Sequence, residues 1–545
     1  MNTYSTKNQH GVALIMFAVV LVLIITTVYI SRFEVNSTKQ MKKNSDTEVL
    51  AQAKEALLNF AATWGYTNAA TLGDLGFLPC PDEAGNGEGN SALNCGNKHQ
   101  SIIGQLPWHT LRIQPLKNSS GDCLWYAVSG EYKNANTRTD MLNEDTNGSF
   151  NVYAEDGVTM LHSSNPEDRI VAIVIDPGLP LTGQVRNPVA GTICGEDFNA
   201  ADYLDNHNGI SNQSVTLLDD MPDNFITTTG ESVAGLNDHI ITISQKEVFD
   251  RITNTTRFKN LMLDTTYVLA QCLAEYGKSN PGNNGTPCPQ VCSVCRNQCD
   301  TTYDCNSLPP GPGRGQCAQN RAQCRQSCRN NGCVNSLPPN CGVGTTDYRL
   351  SWAAALDLNN SDYRVSNNYV QVASVYYGRF PQIGPGGTDL FANCTSLTAR
   401  NGVTPVNLND TNDLYRELWE NWKDHFFLAV SQDFDQNKVP PTVCSGDCIR
   451  VSGDTTDYAA MVIYSGTRLS NQAQLRYAAP PEQTAPVIAD SKADISNYLE
   501  GSNATVYPDT SGNGTYGAAG VAGAIGRDIA FCIDQNMNVS TTQCQ

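Results

Sequence analysis

Nineteen consecutive uncharged residues, Val12 to Ile30, follow a short polar segment, MNTYSTKNQHG. A run of that length is enough for one bilayer-crossing helix. A secretory signal peptide carries small residues after its apolar run and loses the run on cleavage. Here the polar-to-apolar switch falls before the run, at Gly11–Val12. No Pro or Gly occurs between Val12 and Trp64, so the pattern predicts one helix over 12–65, roughly 80 Å long at about 1.5 Å per residue. Its first third is apolar all round and its middle, RFEVNSTKQMKKNSDTE, is polar. Its end is amphipathic, with Val49, Leu50, Ala53, Ala56, Leu57, Phe60 and Ala61 at helical spacing and Gly65 as the expected stop. Arg32, Lys39, Lys42 and Lys43 follow the span, where the positive-inside rule disfavours them if the head is external.

The Gly11–Val12 junction resembles the class III leader of type IV prepilins. The resemblance implies that a prepilin peptidase cuts after Gly11 and that Val12 becomes the N-terminus. The 12–30 segment would then span the inner membrane once before packing into a filament core. The head would lie in the periplasm, then on a pilus or pseudopilus. An uncleaved signal anchor is the alternative. The fifth residue after the junction is Met16, where most pilins carry a Glu that pairs with a neighbouring subunit's amine. The largest minor pseudopilin of type II secretion shares that exception and sits at the tip. Val12 stands where Phe or Met is usual, which leaves N-methylation open.

The chain has room for two or three domains at 545 residues. Its net charge of −19 argues against nucleic acid as a partner. Twenty cysteines, an even number, argue for disulfides in an oxidising compartment. Cytosolic metal-bound cysteines conflict with the N-terminal span.

The remainder reads as one domain written twice. The first copy runs GFLPCP (76–81), IIGQLP (102–107), LWYAVS (124–129), VAIVIDPGLPLTGQVR (171–186), DYLDNHN (202–208) and NDHIITIS (237–244). The second runs YRLSWA (348–353), YYGRFP (376–381), FFLAVS (426–431), AMVIYSGTRLSNQAQLR (460–476), NYLEGSN (497–503) and RDIAFCID (527–534). Gly178 and Gly466, Leu181 and Leu469, and Gln184 and Gln472 are each 288 apart. VAIVI and AMVIY have the length and apolarity of central strands. Each copy opens with a helix-like stretch, Ala51–Gly65 or Asp264–Gly277. The reading is α+β: a long N-terminal membrane-spanning helix packed on an antiparallel pilin-like head, the head duplicated. The expected divisions are a leader at 1–11, the helix at 12–65, and heads at 66–255 and 264–545. LPCPD (78–82), LPW (106–108) and LWYAVS also resemble a set of large prepilin-like proteins of Gram-negative bacteria. The resemblance covers residues 1–250 well and implies no activity.

Residues 280–341 form an insertion in the second copy that holds Cys288, Cys292, Cys295, Cys299, Cys305, Cys317, Cys324, Cys328, Cys333 and Cys341. The first four share one helical stripe. Cys317, Cys324 and Cys328 repeat the pattern after a breaker, SLPPGPGRG (307–315). This predicts a disulfide-stapled helical hairpin, since so small a segment has too little apolar surface to fold unaided. Arg296, Arg314, Arg321, Arg325 and Arg329 make it locally basic. It is either a module contacting a surface ligand or a decoration in a tolerant loop. A zinc knuckle at Cys292-x-x-Cys295 has no second CxxC to complete it. Cys80 with Cys95, Cys444 with Cys448, and Cys532 with Cys544 read as local loop staples. Cys123, Cys194, Cys272 and Cys394 remain, with connectivity open.

Catalytic patterns are absent: no HExxH, GxSxG or Walker loop occurs. His109 reads as a structural neighbour of Trp108. The one ligand candidate is DEAGNGEGN, whose Asp82, Asn86 and Glu88 offer oxygens to Ca²⁺. A polar turn closed by Cys80 and Cys95 is the plainer reading. Asp410 and Asp413 form a weaker acidic pair. The functional expectation is a non-enzymatic, minor, tip-located pilus or pseudopilus subunit, whose partners are other pilin subunits, the prepilin peptidase and the inner membrane, with surface adhesion as a further role. The alternative is a signal-anchored envelope protein or exported enzyme with no pilus role.

Overall fold

The computed structural model describes residues 10–67, 75–84, 87–135, 141–163, 168–195, 197–216, 222–230, 232–279, 299, 304–305, 312–330, 348–358, 363–438, 442–468, 474, 476, 491–506, 512–517 and 528–544. Within the first helix it describes the side chains of 16–23 and 43–66. The chain divides into two compact units. The first comprises Met1–Asn68 and Asp74–Ile252; the second comprises Thr253–Ala479 and Ala485–Gln545.

Helix α1 (His10–Thr67) is continuous and ends two residues beyond Gly65. One expectation is overturned here. Among the described residues no helix is long and apolar enough to cross a membrane. This removes the membrane-spanning helix from the fold and, with it, single-pass anchorage in an inner membrane. The C-terminal part of α1 is amphipathic. Leu50, Ala53, Leu57, Leu58, Phe60 and Ala61 are buried, while Gln52, Glu55 and Asn59 are exposed.

Six strands make the sheet of the first unit: β1 (Ile102–Gln105), β2 (Trp125–Val128), β3 (Phe150–Tyr153), β4 (Ile170–Asp176), β5 (Asp223–Ile226) and β6 (His239–Ser244). The main ladder is β1-β2-β4-β6, antiparallel throughout. β3 pairs in parallel with β5 and touches β4 at Phe150–Ile170. All seven residues of β4 are buried, which is why VAIVI is unbroken apolar sequence: both faces of the strand are covered. Ile173 and Ile175 join Trp125, Ala127, Tyr203 and Leu204 in one cluster. Ala172 and Val174 point to the opposite face. α1 lies against β4 and β6, and Lys54 ties it there by donating to the Thr242 carbonyl at 2.8 Å and pairing with Glu247. Helix α2 (Gln245–Thr253) follows β6.

The second unit repeats this plan. Helix α3 (Thr256–Ser279) buries Met262, Val268, Leu269 and Leu273. After α4 (Pro312–Asn330) come β7 (Tyr377–Arg379), α5 (Leu414–Trp422), β8 (Phe426–Val430), β9 (Ile449–Val451), β10 (Ala460–Tyr464), β11 (Thr515–Tyr516) and β12 (Ile529–Ile533). The ladder β7-β8-β10-β12 is again antiparallel, and β9 pairs in parallel with β11. Registers agree: Val128 faces Ala172 and Val430 faces Ala460. The serine after each of those valines, Ser129 or Ser431, donates its N–H to the residue before the facing alanine. α3 lies against β12 and β10. Phe427, Ala429, Met461, Ile463, Tyr498 and Leu499 form the matching cluster.

Seven disulfides lie among the described residues. They join Cys80 to Cys95, Cys123 to Cys194, Cys272 to Cys394, Cys299 to Cys324, Cys305 to Cys317, Cys444 to Cys448 and Cys532 to Cys544. Cys288, Cys292, Cys295, Cys333 and Cys341 lie outside the described residues, as does the side chain of Cys328. α4 begins at Pro312, so the helix takes in the end of the segment expected to break it; proline suits the first turn because its missing N–H has no intrahelical partner there.

Candidate functional site

Residues 16–23 of α1 form the most apolar exposed surface among the described residues. Met16 is 67 % exposed and Phe17 69 %, and Val19, Val20, Leu21, Val22 and Leu23 are also exposed. Seven large apolar side chains within eight residues leave a continuous apolar surface in water, which in a soluble-phase monomer marks a binding surface. Because the exposed residues run around the whole helix, the surface can be covered on several sides at once. Gly11 and Val12 lie inside α1, which starts at His10; their side chains are outside the described residues, as are those of Arg32 and Lys39.

In the loop offered for calcium, the acids Asp82 and Glu88 accept backbone N–H groups. Asp82 Oδ2 accepts the Gly89 N–H at 2.6 Å, and Glu88 accepts the N–H of Cys194. Asn86 is outside the described residues. No cluster of three or more acidic, His or Cys ligands includes Asp82 or Glu88 among the described residues. Gly89 has a positive φ, and a Cβ there would meet the Trp108 ring at 2.4 Å, so the turn and the LPW segment are fitted to each other. His109 Nδ1 pairs with Asn90 Oδ1 at 2.7 Å on the same turn. Asp413 caps α5 by accepting the Tyr415 N–H at 2.9 Å, and Asp410 accepts the Asn412 N–H at 2.9 Å.

Two polar clusters that sequence reading passed over recur in both units. The first is an arginine clamp. Arg186 Nη1 donates to the Gly178 carbonyl at 2.9 Å and Nε to the Asp202 carbonyl at 3.2 Å. Nη2 reaches the Tyr203 carbonyl and Gln184 Oε1, both at 3.4 Å, and the guanidinium lies 4.9 Å from the Tyr203 ring. Arg476 makes the same set: Gly466 carbonyl at 3.4 Å, Asn497 carbonyl at 2.5 Å, Tyr498 carbonyl at 3.4 Å, Gln474 Oε1 at 3.0 Å and the Tyr498 ring at 4.9 Å. Gly178 and Gly466 both adopt positive φ, which turns their carbonyls toward the guanidinium. Gln474 thus takes the place of Gln184, while Leu469 and Gln472 lie outside the described residues. The spacing of 288 holds through β4 and β10 and lengthens by two residues beyond Gly466.

The second cluster is a pair of buried carboxyls. Asp238 Oδ2 accepts the Asp205 N–H and Asn212 Nδ2, both at 2.8 Å. Asp528 Oδ2 accepts the Glu500 N–H at 3.4 Å and Asn503 Nδ2 at 2.8 Å. The asparagines also accept backbone N–H groups at the ends of β5 and β11: Asn212 Oδ1 from Ile226, the last residue of β5, at 2.8 Å, and Asn503 Oδ1 from Gly517, just past β11, at 2.7 Å.

The second unit adds a buried ion pair. Asp424 pairs with Lys492 and with His425 Nδ1 at 2.9 Å, and Arg379 donates to the Leu356 carbonyl at 3.0 Å and the Lys492 carbonyl at 2.6 Å. Arg379 stacks near Tyr363 and Tyr498, at 4.9 and 5.0 Å. Burial alone would push the Asp424 carboxyl up, but Lys492, His425 and Arg379 hold it well below the usual carboxylate range.

No family model, curated protein or solved structure matches the chain.

Proposed function

We propose that the chain is a non-enzymatic subunit of a helical filament of the type IV pilus or pseudopilus class. It acts by assembly: cleavage after Gly11 frees Val12, and the apolar part of α1 packs among the helices of neighbouring subunits. The observation that carries this reading is the exposure of Met16–Leu23 on all sides of a helix whose other end is seated in a folded unit. Helix–helix burial of that surface is worth about 25 cal/mol per Å² of apolar area removed from water. Met16, in place of an acidic residue, and the bulk of two units favour a minor, terminal subunit. A neighbour above would need the charge pair that Met16 cannot make.

The test is the N-terminus of the protein recovered from cells with and without prepilin peptidase. A chain starting at Val12 only when the peptidase is present is expected. A chain starting at Met1 in both would remove the basis of the proposal.

Surface attachment is a second role, favoured by α4. That helix carries exposed Arg314 and Arg325 and no acidic residue, and two disulfides pin it. Deleting Asn280–Cys341 should then abolish attachment while filaments still form.

A further inference from the structure

The paired carboxyls form a seam that occurs twice. In each unit the acid opening the last strand, Asp238 before β6 or Asp528 before β12, meets the acid of a Tyr-Leu-acid segment, Asp205 or Glu500. All four are buried: Asp238 is 0 % exposed, Asp205 2 %, Asp528 3 % and Glu500 4 %. Donors are unequally shared within the first pair. Asp205 Oδ2 accepts the N–H groups of Asn237 at 2.7 Å and Asp238 at 3.1 Å, and its Oδ1 accepts Gln184 Nε2 at 3.0 Å. Asp238 receives both of its donors on Oδ2, and its buried Oδ1 has no partner. Asp528 has the same arrangement: both donors fall on Oδ2 and Oδ1 has none. An ionised carboxylate with one buried oxygen that no protein group donates to is costly, whereas a neutral carboxyl costs far less.

We infer that Asp238 and Asp528 are the proton-bound members of two equivalent carboxyl pairs, which act as latches that hold both units closed when protonated and loosen them as pH rises. The surrounding charges agree. Asp238 faces Asp205 and, from β4, Asp176; Arg186 faces Asp205, and His239 Nδ1 turns to the Asn237 carbonyl. Asp528 faces Glu500 and the Asn503 amide, while Arg476 is held by the carbonyls of Asn497 and Tyr498. Burial first, and the neighbouring acid second, push both Asp238 and Asp528 well above the ordinary aspartate range. A raised folded-state value gives stability that is complete below the unfolded pKa, about 3.9, and lost as pH rises through the folded value. Between the two, the folding constant falls about tenfold per pH unit for each site. The latch joins the segment around Tyr203 or Tyr498 to the final strand, so the same seam opens in both units.

The test is denaturant unfolding of the full-length protein in EDTA between about pH 5 and pH 9, for wild type, Asp238→Asn, Asp528→Asn and the double variant. Asn keeps the shape and cannot ionise. Wild type should weaken with rising pH, each variant should lose about one proton's share of that slope, and the double should lose both. An unchanged slope in the double variant overturns the inference. So does recovery of wild-type stability at high pH on adding Ca²⁺ or Mg²⁺, which would make the pairs cation sites. Infrared spectra supply a readout independent of stability. A protonated-carboxyl stretch at neutral pH, reduced in each single variant, is expected, and its absence from wild type overturns the inference.

Discussion

At the scale of single residues, the two units are held by the same polar contacts, and their arginines show how little of this a sequence declares. Arg186 and Arg476 each end a word that could be matched by eye, yet nothing in VAIVIDPGLPLTGQVR or AMVIYSGTRLSNQAQLR marks the last residue as buried. The signal lay in two words taken together: a glycine after a central strand, an arginine eight to ten residues on, and a tyrosine in the next word. Arg476 is fully buried and satisfied mainly by carbonyl oxygens. Replacing it by Met leaves those carbonyls without donors in a dry interior. Arg476→Met should destabilise the second unit by about 2–5 kcal/mol, and Arg476→Lys should recover only part of it, since an ammonium cannot span the same fork of acceptors. Urea titration followed by tryptophan fluorescence measures both. A loss below about 0.5 kcal/mol for the Met variant would mean that the clamp is decoration. The acidic loop at 82–90 was ambiguous in sequence for a related reason. Oxygen-rich, glycine-rich sequence is shared by ion loops and by turns that cap their own backbone. Asp82 does the second with the Gly89 N–H, while Glu88 accepts the N–H of the distant Cys194.

At the scale of elements, hydrophobic periodicity carried most of the information. The strand words sit in the two main ladders because a strand covered on both faces is mostly apolar, as β4 is from Ile170 to Ile175 and β10 is throughout. The amphipathic end of α1 was equally legible, with Leu50, Ala53, Leu57, Phe60 and Ala61 all buried. What sequence did not supply was the parallel pairing of β3 with β5 and of β9 with β11, since such short strands carry no period of their own. The loop disulfide from Cys123 to Cys194 and the tie from Cys272 on α3 to Cys394 were likewise invisible in spacing. Helix α1 gives the element-scale prediction. Leu57 is 0 % exposed, and Asn59, two residues on, faces solvent. Leu57→Ala should cost the first unit about 2–5 kcal/mol through lost burial and a residual cavity. Asn59→Ala should stay within about 0.5 kcal/mol. Denaturation curves for the pair would separate docking of this turn from helix propensity, because alanine is the better helix former in both cases.

At the scale of the whole molecule, α1 combines two demands that no single environment meets. From Leu50 onward its buried face belongs to the first unit's core. Asp46 extends that docking, accepting the Ser119 N–H at 2.6 Å and its hydroxyl at 2.9 Å, and Lys43 donates to the Gly230 carbonyl at 3.3 Å. Met16–Leu23 is exposed instead. If that stretch serves association alone, removing residues 1–42 should leave both units folded. The stability change should be under about 1 kcal/mol, since none of the described core residues is lost. The truncated chain should remain monomeric by light scattering at concentrations where the full-length protein associates. Phe17→Asp in the full-length chain should weaken association in the same direction, because a charge placed in a helix–helix contact must be buried without a partner. A truncated chain that unfolds would assign the N-terminal half of α1 to the fold itself. A truncated chain that still associates would move the assembly surface elsewhere on the units. Only the combination of folded and monomeric assigns Met16–Leu23 to association between chains rather than to the fold of the first unit.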